Sequence, residues 1–171
     1  MGSLPLNPME IKLKIHTQSP EQTQAVGQLI GEYAREGDIF LLSGELGTGK
    51  TCLTQGIAVG LGVPGYVRSP TFVLMTQYQG RLRLHHMDLY RLEGSFQAWD
   101  LGIEEQLTSN EVCVVEWADR ARDIFPDECL WIDLIHTQHS NSRNISFYSQ
   151  STKYESIITK LRQINFGIER N

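Results

Sequence analysis

Glycines at 44, 47 and 49, followed by Lys50 and Thr51, form the run Gly44-Glu45-Leu46-Gly47-Thr48-Gly49-Lys50-Thr51, a complete G-x-x-x-x-G-K-T pattern. The chemistry of such a run is phosphate binding. Its glycines let the backbone turn so that successive N–H groups face one concavity. The lysine ammonium reaches the β- and γ-phosphates, and the threonine hydroxyl is placed to ligate Mg²⁺. The pattern also arises by chance, so its setting decides. Before it, Ile39-Phe40-Leu41-Leu42 is the short unbroken apolar run of a buried central strand. After it, Leu53, Ile57 and Leu61 keep helical spacing up to Gly62 and Pro64. Strand, glycine loop and helix in that order bring the partial positive charge of the helix N-terminus to the same spot.

A cation beside nucleotide phosphates needs a carboxylate, usually at the end of a neighbouring apolar strand. Glu116, closing Val112-Cys113-Val114-Val115, has that placement, and Asp88 at the end of His85-His86-Met87-Asp88 competes with it. Which of the two is the main ligand stays open at this point. Trp117 is either an aromatic wall beside the nucleotide or a core residue. Cys52 reads as a helix-packing residue rather than a redox-sensitive thiol. Adjacent strand residues point to opposite faces, so His85 and His86 do not make a metal pair; one is expected to be packed, the other exposed. Arg68, Arg91 and Arg120 are candidates for an arginine reaching the phosphates from within the chain.

These residues need a scaffold. Ile11, Leu13 and Ile15 alternate with Lys12, Lys14 and His16, the period of a half-buried strand. Ser19-Pro20-Glu21-Gln22 opens a helix as a capping box, and Gly37 is its expected end. Phe72–Tyr78 and Leu82–Met87 flank Gln79-Gly80-Arg81 as a β-hairpin. Trp99–Leu107 reads as a short helix, and Leu130–Ile135 as a strand. The polar run Thr137–Asn144 reads as a loop, and Ile145, Phe147 and Ser149 as an edge strand. Tyr154, Ile157, Ile158, Leu161 and Ile164 share one face of a final helix over 151–167, with Gly167 as its stop. The expected fold is α/β, three-layered, with a central mixed sheet that includes an antiparallel hairpin.

With 171 residues and 40% hydrophobic content, the chain reads as one domain, residues 1–171, with 1–9 as a loose lead-in. Fifteen basic against twenty acidic residues, a net charge of −5, argues against a global electrostatic grip on nucleic acid. Arg81, Arg83 and His85 fall on one face of the hairpin and read as a solvated edge before they read as an RNA contact. Three scattered cysteines, no secretory leader and no apolar run long enough to span a membrane fit a cytoplasmic protein.

Taken in order, Gly44–Thr51 with Gln55-Gly56, then Ser69-Pro70-Thr71-Phe72, His86-x-Asp88-x-Tyr90-Arg91-Leu92 and Glu116-Trp117 resemble the TsaE (YjeE) family, over roughly residues 20–135. Those proteins are bacterial P-loop ATPases of tRNA threonylcarbamoyladenosine synthesis. The resemblance implies a Mg²⁺-ATP-dependent ATPase whose hydrolysis drives or resets a complex with TsaB and TsaD homologues. That complex modifies N6 of adenosine 37 in tRNAs reading codons that begin with A, and tRNA contact by this chain would be secondary. By position, Gly44, Glu45, Leu46, Gly47, Thr48, Gly49, Lys50, Thr51, Cys52 and Trp117 would surround the nucleotide. Thr51, Glu116 and Asp88 would serve Mg²⁺, and Lys50, Thr71, Asp88 and Glu116 would carry the chemistry. Thr71 would lie over the γ-phosphate and sense it. Three alternatives remain: a P-loop kinase of a small metabolite, a GTPase switch and a non-hydrolysing nucleotide-binding subunit. Residues 93–110 hold no arginine or lysine for a kinase lid, and no Asn-Lys-x-Asp run reads guanine.

Overall fold

A computed structural model describes residues 9–166. Seven strands are present among them: β1 (Ile11–Thr17), β2 (Ile39–Ser43), β3 (Met75–Gln79), β4 (Arg83–Asp88), β5 (Val112–Glu116), β6 (Leu130–His136) and β7 (Arg143–Tyr148). They form one sheet in the order β1-β7-β6-β2-β5-β4-β3. The central four, β6, β2, β5 and β4, run parallel; β7, β1 and β3 join antiparallel to their neighbours. β2 and β5 are buried along their whole length, which is why they read as unbroken apolar runs rather than alternating ones.

The helices are α1 (Pro20–Tyr33), α2 (Lys50–Gly60), α3 (Ser95–Asp100), α4 (Ile103–Leu107) and α5 (Glu155–Arg162), with 3-10 segments at Ala118–Ile124 and Thr152–Tyr154. Phe40 and Leu42 of β2 face α1, α2 and α5 through Val26, Ile30, Leu53, Ile57 and Leu161. Ile39 and Leu41 face the other way, onto Ala98, Ile103, Leu107 and Ala118. Three layers result, as expected, with a hairpin at one side of the sheet.

Several boundaries differ from expectation, each for a local reason. α1 ends at Tyr33, before Gly37, where Ala34 turns to extended backbone, and the guanidinium of Arg81 donates to the carbonyls of Gly31, Glu32 and Ala34 at that end. Ser19 accepts from the Gln22 N–H as a cap, but the Gln22 side chain accepts from Gln18 rather than from Ser19. Phe72–Leu74 are not strand: Val73 and Leu74 both donate to the Pro70 carbonyl, and Leu74 takes φ 71°, so the segment turns. The expected helix over 99–107 is two helices broken at Gly102, φ 69°. β7 is not an edge, because β1 pairs along its outer side. Its first residue is Arg143, so the preceding loop is shorter than the polar composition implied. α5 stops at Arg162; Gly167 and the lead-in 1–8 lie outside the described residues, while Met9 packs on the core.

α1 and α2 meet backbone to backbone. A Cβ built on Gly27 or Gly31 would collide with the carbonyl of Leu53 or Ile57, and one on Gly56 or Gly60 with that of Gln24 or Gln28. The loop helix α2 is therefore fixed against α1 with no side chain between them at these points. Gly31→Ala is expected to cost on the order of 1–3 kcal/mol or more, because the clash is with rigid backbone. A urea midpoint equal to that of the unsubstituted protein, at equal slope, would show that the seam yields.

Candidate nucleotide-binding site

β2 delivers the chain into the loop, and the loop's backbone explains its glycines. Gly44, Gly47 and Gly49 take φ of 139°, 76° and 99°, a region costly for other residues. Gly44 also lies against the Leu134 carbonyl, where no Cβ fits. Lys50, only 5% exposed, folds back over the loop. Its Nζ donates to the carbonyls of Gly44 (2.6 Å) and Glu45 (2.8 Å). Burial lowers the lysine pKa, and the carboxylates of Glu116, Asp119, Asp88 and Asp133 pull it back up. The result is a buried ammonium held on two carbonyl oxygens, ready to exchange them for a stronger anionic acceptor.

The two carboxylates sit side by side, because β4 and β5 pair Asp88 with Glu116. They have different partners. Glu116 Oε2 accepts from the Thr51 hydroxyl at 2.9 Å, while Oε1 accepts from Thr54 at 3.2 Å and from His86 Nε2 at 2.7 Å. A carboxylate only accepts, so Nε2 carries the histidine proton. Asp88 Oδ2 accepts from Thr71 at 2.8 Å and from Ser69, and Oδ1 from the Tyr90 N–H at 2.9 Å. Glu116 is thus tied to the loop helix. Asp88 is tied to the Ser69–Leu74 turn.

Half-buried Trp117 follows at φ 57°, packs on the core cluster that holds Ile39 and Leu41, and also lays its ring as a wall 3.9 Å from Lys50 Nζ. Tyr90 packs on it at 4.9 Å, and Arg120 lies 5.5 Å from the same ring. A cavity of about 510 Å³ opens beside this wall, with Ser43, Gly44, Glu45, Trp131 and Asp133 among its lining. Arg68 and Arg91 stack on Tyr66 and Phe72, at 5.9 and 4.4 Å. Cys52 Sγ donates to the Pro20 carbonyl, and burial raises its pKa, so it is a poor thiolate. Both histidines expected to split between packed and exposed are buried: His86 against Glu116, His85 against Glu111. With Arg81 bound to α1 and Arg83 paired with Glu111, the expected basic stripe is mostly spent on internal contacts.

Three residues that the sequence did not mark, Thr54, Arg143 and His136, belong to this neighbourhood, and so does His86, which it marked without this role. Thr54 and His86 hold Glu116, while Arg143 donates to the carbonyls of Gly47 and Thr48 and His136 reaches that of Leu46. The histidine lay inside the quoted motif, and Thr54 one helical turn from Lys50. Arg143 had no local signal at all.

A glycine loop on the central strand of a largely parallel sheet, with a carboxylate on the adjacent strand bonded to the loop threonine, defines the P-loop NTPase fold. The family model described as "Threonylcarbamoyl adenosine biosynthesis protein TsaE" matches residues 17–145. The chain belongs to the TsaE family. It is 40% identical over 151 residues to the TsaE protein of Bacillus subtilis strain 168, covering 88% of this chain and 94% of that one. With the Treponema pallidum (strain Nichols) protein it shares 39% over 118 residues, covering 69% and 87%. The crystal structure of YdiB from Bacillus subtilis superposes with a TM-score of 0.78 at 34% identity, over 91% of this chain and 97% of that one. Among the described residues no helix is long and apolar enough to cross a membrane.

Proposed function

We propose that the chain, acting as one ATPase domain in the cytoplasm, binds Mg²⁺-ATP in the Gly44–Thr51 loop and hydrolyses it slowly. Its hydrolysis serves the formation of threonylcarbamoyladenosine in tRNA, the process named in the description of its family. One observation carries the reading: Thr51 and Glu116 are 2.9 Å apart at the foot of the helix whose Lys50 ammonium rests on loop carbonyls. The donor set fits the cofactor, since a hydroxyl beside a carboxylate is a hard-oxygen pair suited to Mg²⁺. When bound, that ion neutralises charge on the β- and γ-phosphate oxygens.

The protein's own groups do the rest. The phosphates accept from the loop N–H groups and from Lys50, whose ammonium leaves the carbonyls of Gly44 and Glu45 for them. Glu116 is kept in line by Thr54 and His86, and Trp117 shields the lysine from water. Thr71 shares its proton with Asp88, so a γ-phosphate arriving there competes for the same hydroxyl and reports its presence to the turn. At that turn Phe72 and Val73 are 83% and 70% exposed. Exposed apolar side chains beside the site are what a protein partner covers, and they support a docking partner, which this reading takes to be the TsaB and TsaD homologues.

ATP turnover alone and with those homologues tests the proposal. Stimulation of at least tenfold by the pair is expected, a modest fraction of what a supplied arginine contributes elsewhere. Equal turnover with and without them would remove the partner from the mechanism. Transfer of phosphate to a small acceptor in place of water would make the chain a kinase, with the cavity beside Trp117 as the acceptor site.

A further inference from the structure

The polar segment between β6 and β7 takes no part in the chemistry outlined so far, yet it returns the chain to the back of the phosphate loop. β6 ends at His136 and β7 starts at Arg143, and the two are paired across the sheet. The half-buried Arg143 guanidinium donates four hydrogen bonds, all to carbonyl oxygens. Nε donates to Thr48 O and Nη2 to Gly47 O, both at 2.9 Å, and Nη1 donates to Ser140 O and Ser142 O at 2.6 and 2.7 Å. His136 Nε2 lies 3.1 Å from Leu46 O, and a carbonyl only accepts, so that nitrogen donates. Three consecutive carbonyls of the loop, at 46, 47 and 48, are thereby held from outside.

A trans peptide is planar, with its C=O and the following N–H pointing in opposite directions. Fixing the carbonyls of Leu46, Gly47 and Thr48 outward therefore turns the N–H groups of Gly47, Thr48 and Gly49 into the concavity. The Thr48 N–H already points that way, toward Glu45 O at 3.3 Å. That carbonyl is one of the two on which Lys50 rests. Glycine at 47 and 49 makes the loop able to take this shape and equally able to leave it, so the shape needs an external tie. Arg143, 95 positions further along the chain than Thr48, supplies one from a different element.

We propose that Arg143, assisted by His136, is a positioning residue for phosphate binding: the β6–β7 connection braces the loop from behind and preorganises its N–H groups before any anion arrives. This rests on the loop being a phosphate site. It assigns a role to a region that lies at the end of the matched family segment and that no motif marks.

The test uses Arg143→Ala, Arg143→Lys and His136→Ala in the full chain, with two readouts. Amide hydrogen exchange without nucleotide is expected to speed up about tenfold or more at Gly47–Gly49 in Arg143→Ala, with β1 and α5 unchanged. Affinity for inorganic tripolyphosphate and for ATP is expected to fall on the order of ten- to a hundredfold, with adenosine affinity unaltered and turnover at saturating ATP within about threefold. Guanidinium ion restores part of the loss in Arg143→Ala, which a general weakening of the fold would not allow. Lysine at 143 keeps the charge but not the fork, and His136→Ala loses one tie of three, so both fall between the extremes. Unchanged exchange at Gly47–Gly49, or equal losses for tripolyphosphate and adenosine, would overturn the brace. If the unsubstituted protein binds neither ATP nor tripolyphosphate, the nucleotide reading fails, and the exchange measurement alone then decides on the brace.

Discussion

Lys50→Ala is expected to weaken ATP binding by a hundredfold or more and to remove turnover, while the protein still folds. Two charge-assisted hydrogen bonds from Nζ to phosphate are lost, each worth about 1.5–3 kcal/mol, and about 1.4 kcal/mol corresponds to a factor of ten. A second penalty adds to the first. The carbonyls of Gly44 and Glu45, now satisfied by the ammonium, would face the incoming phosphate with nothing between. Folding is expected to survive because the same substitution removes a charge whose burial is itself unfavourable. Trp117 offers the readout. Its ring lies 3.9 Å from the ammonium, so ATP that draws Lys50 away alters its emission. The alanine variant should show neither the signal nor binding by calorimetry. Near-normal ATP affinity in that variant would mean that the loop is not the phosphate site.

Glu116→Gln should separate binding from hydrolysis. The carboxylate presents acceptors in two directions, Oε2 to Thr51 and Oε1 to Thr54 and His86. An amide of the same shape offers one acceptor and one donor group, so if the oxygen stays on Thr54 and His86 the Thr51 hydroxyl must turn from donor to acceptor, and the negative charge needed beside Mg²⁺ is gone. Turnover is expected to drop by about a hundredfold or more, with the KM for ATP within about threefold of normal. Preserved turnover in Glu116→Gln, together with loss in Asp88→Asn, would give the metal-holding role to Asp88. Loss in both, with ATP still bound, fits two carboxylates in adjacent register serving one ion.

How much of this was legible depended on the range of the signal. The glycine loop, its strand and its helix are contiguous in sequence, and the backbone geometry that demands glycine at 44, 47 and 49 is local; all of it could be read. Glu116 stood out as an acid ending an apolar strand and Asp88 as one ending a hairpin strand, and the sheet does bring them together. Their division of labour was not readable, because it depends on which hydroxyls the fold carries to each. Phe72-Val73-Leu74 has strand composition, yet two N–H groups on the Pro70 carbonyl turn it outward. Composition reports what a pleated surface accepts, not whether a partner strand extends that far. β7 misled in the opposite way, since its alternation cannot reveal that β1, more than a hundred residues earlier, covers its outer side. Arg143 lies beyond any pattern: its partners are backbone oxygens, which every residue carries.

The glycine seam between α1 and α2 also determines which half of the molecule is the stator. The helix that begins at the glycine loop is seated on another helix through bare backbone at four glycines, and a slide of one residue would drive side chains into carbonyls. On the proposed function, hydrolysis would therefore have no room to be transmitted through that side. What remains free to respond is the turn latched to Asp88 by two hydroxyls, with Phe72 and Val73 projecting from it into solvent. If the proposed function holds, the molecule works like an escapement, with a fixed wheel at the glycine loop and a small pawl at Thr71 that a docking partner would feel.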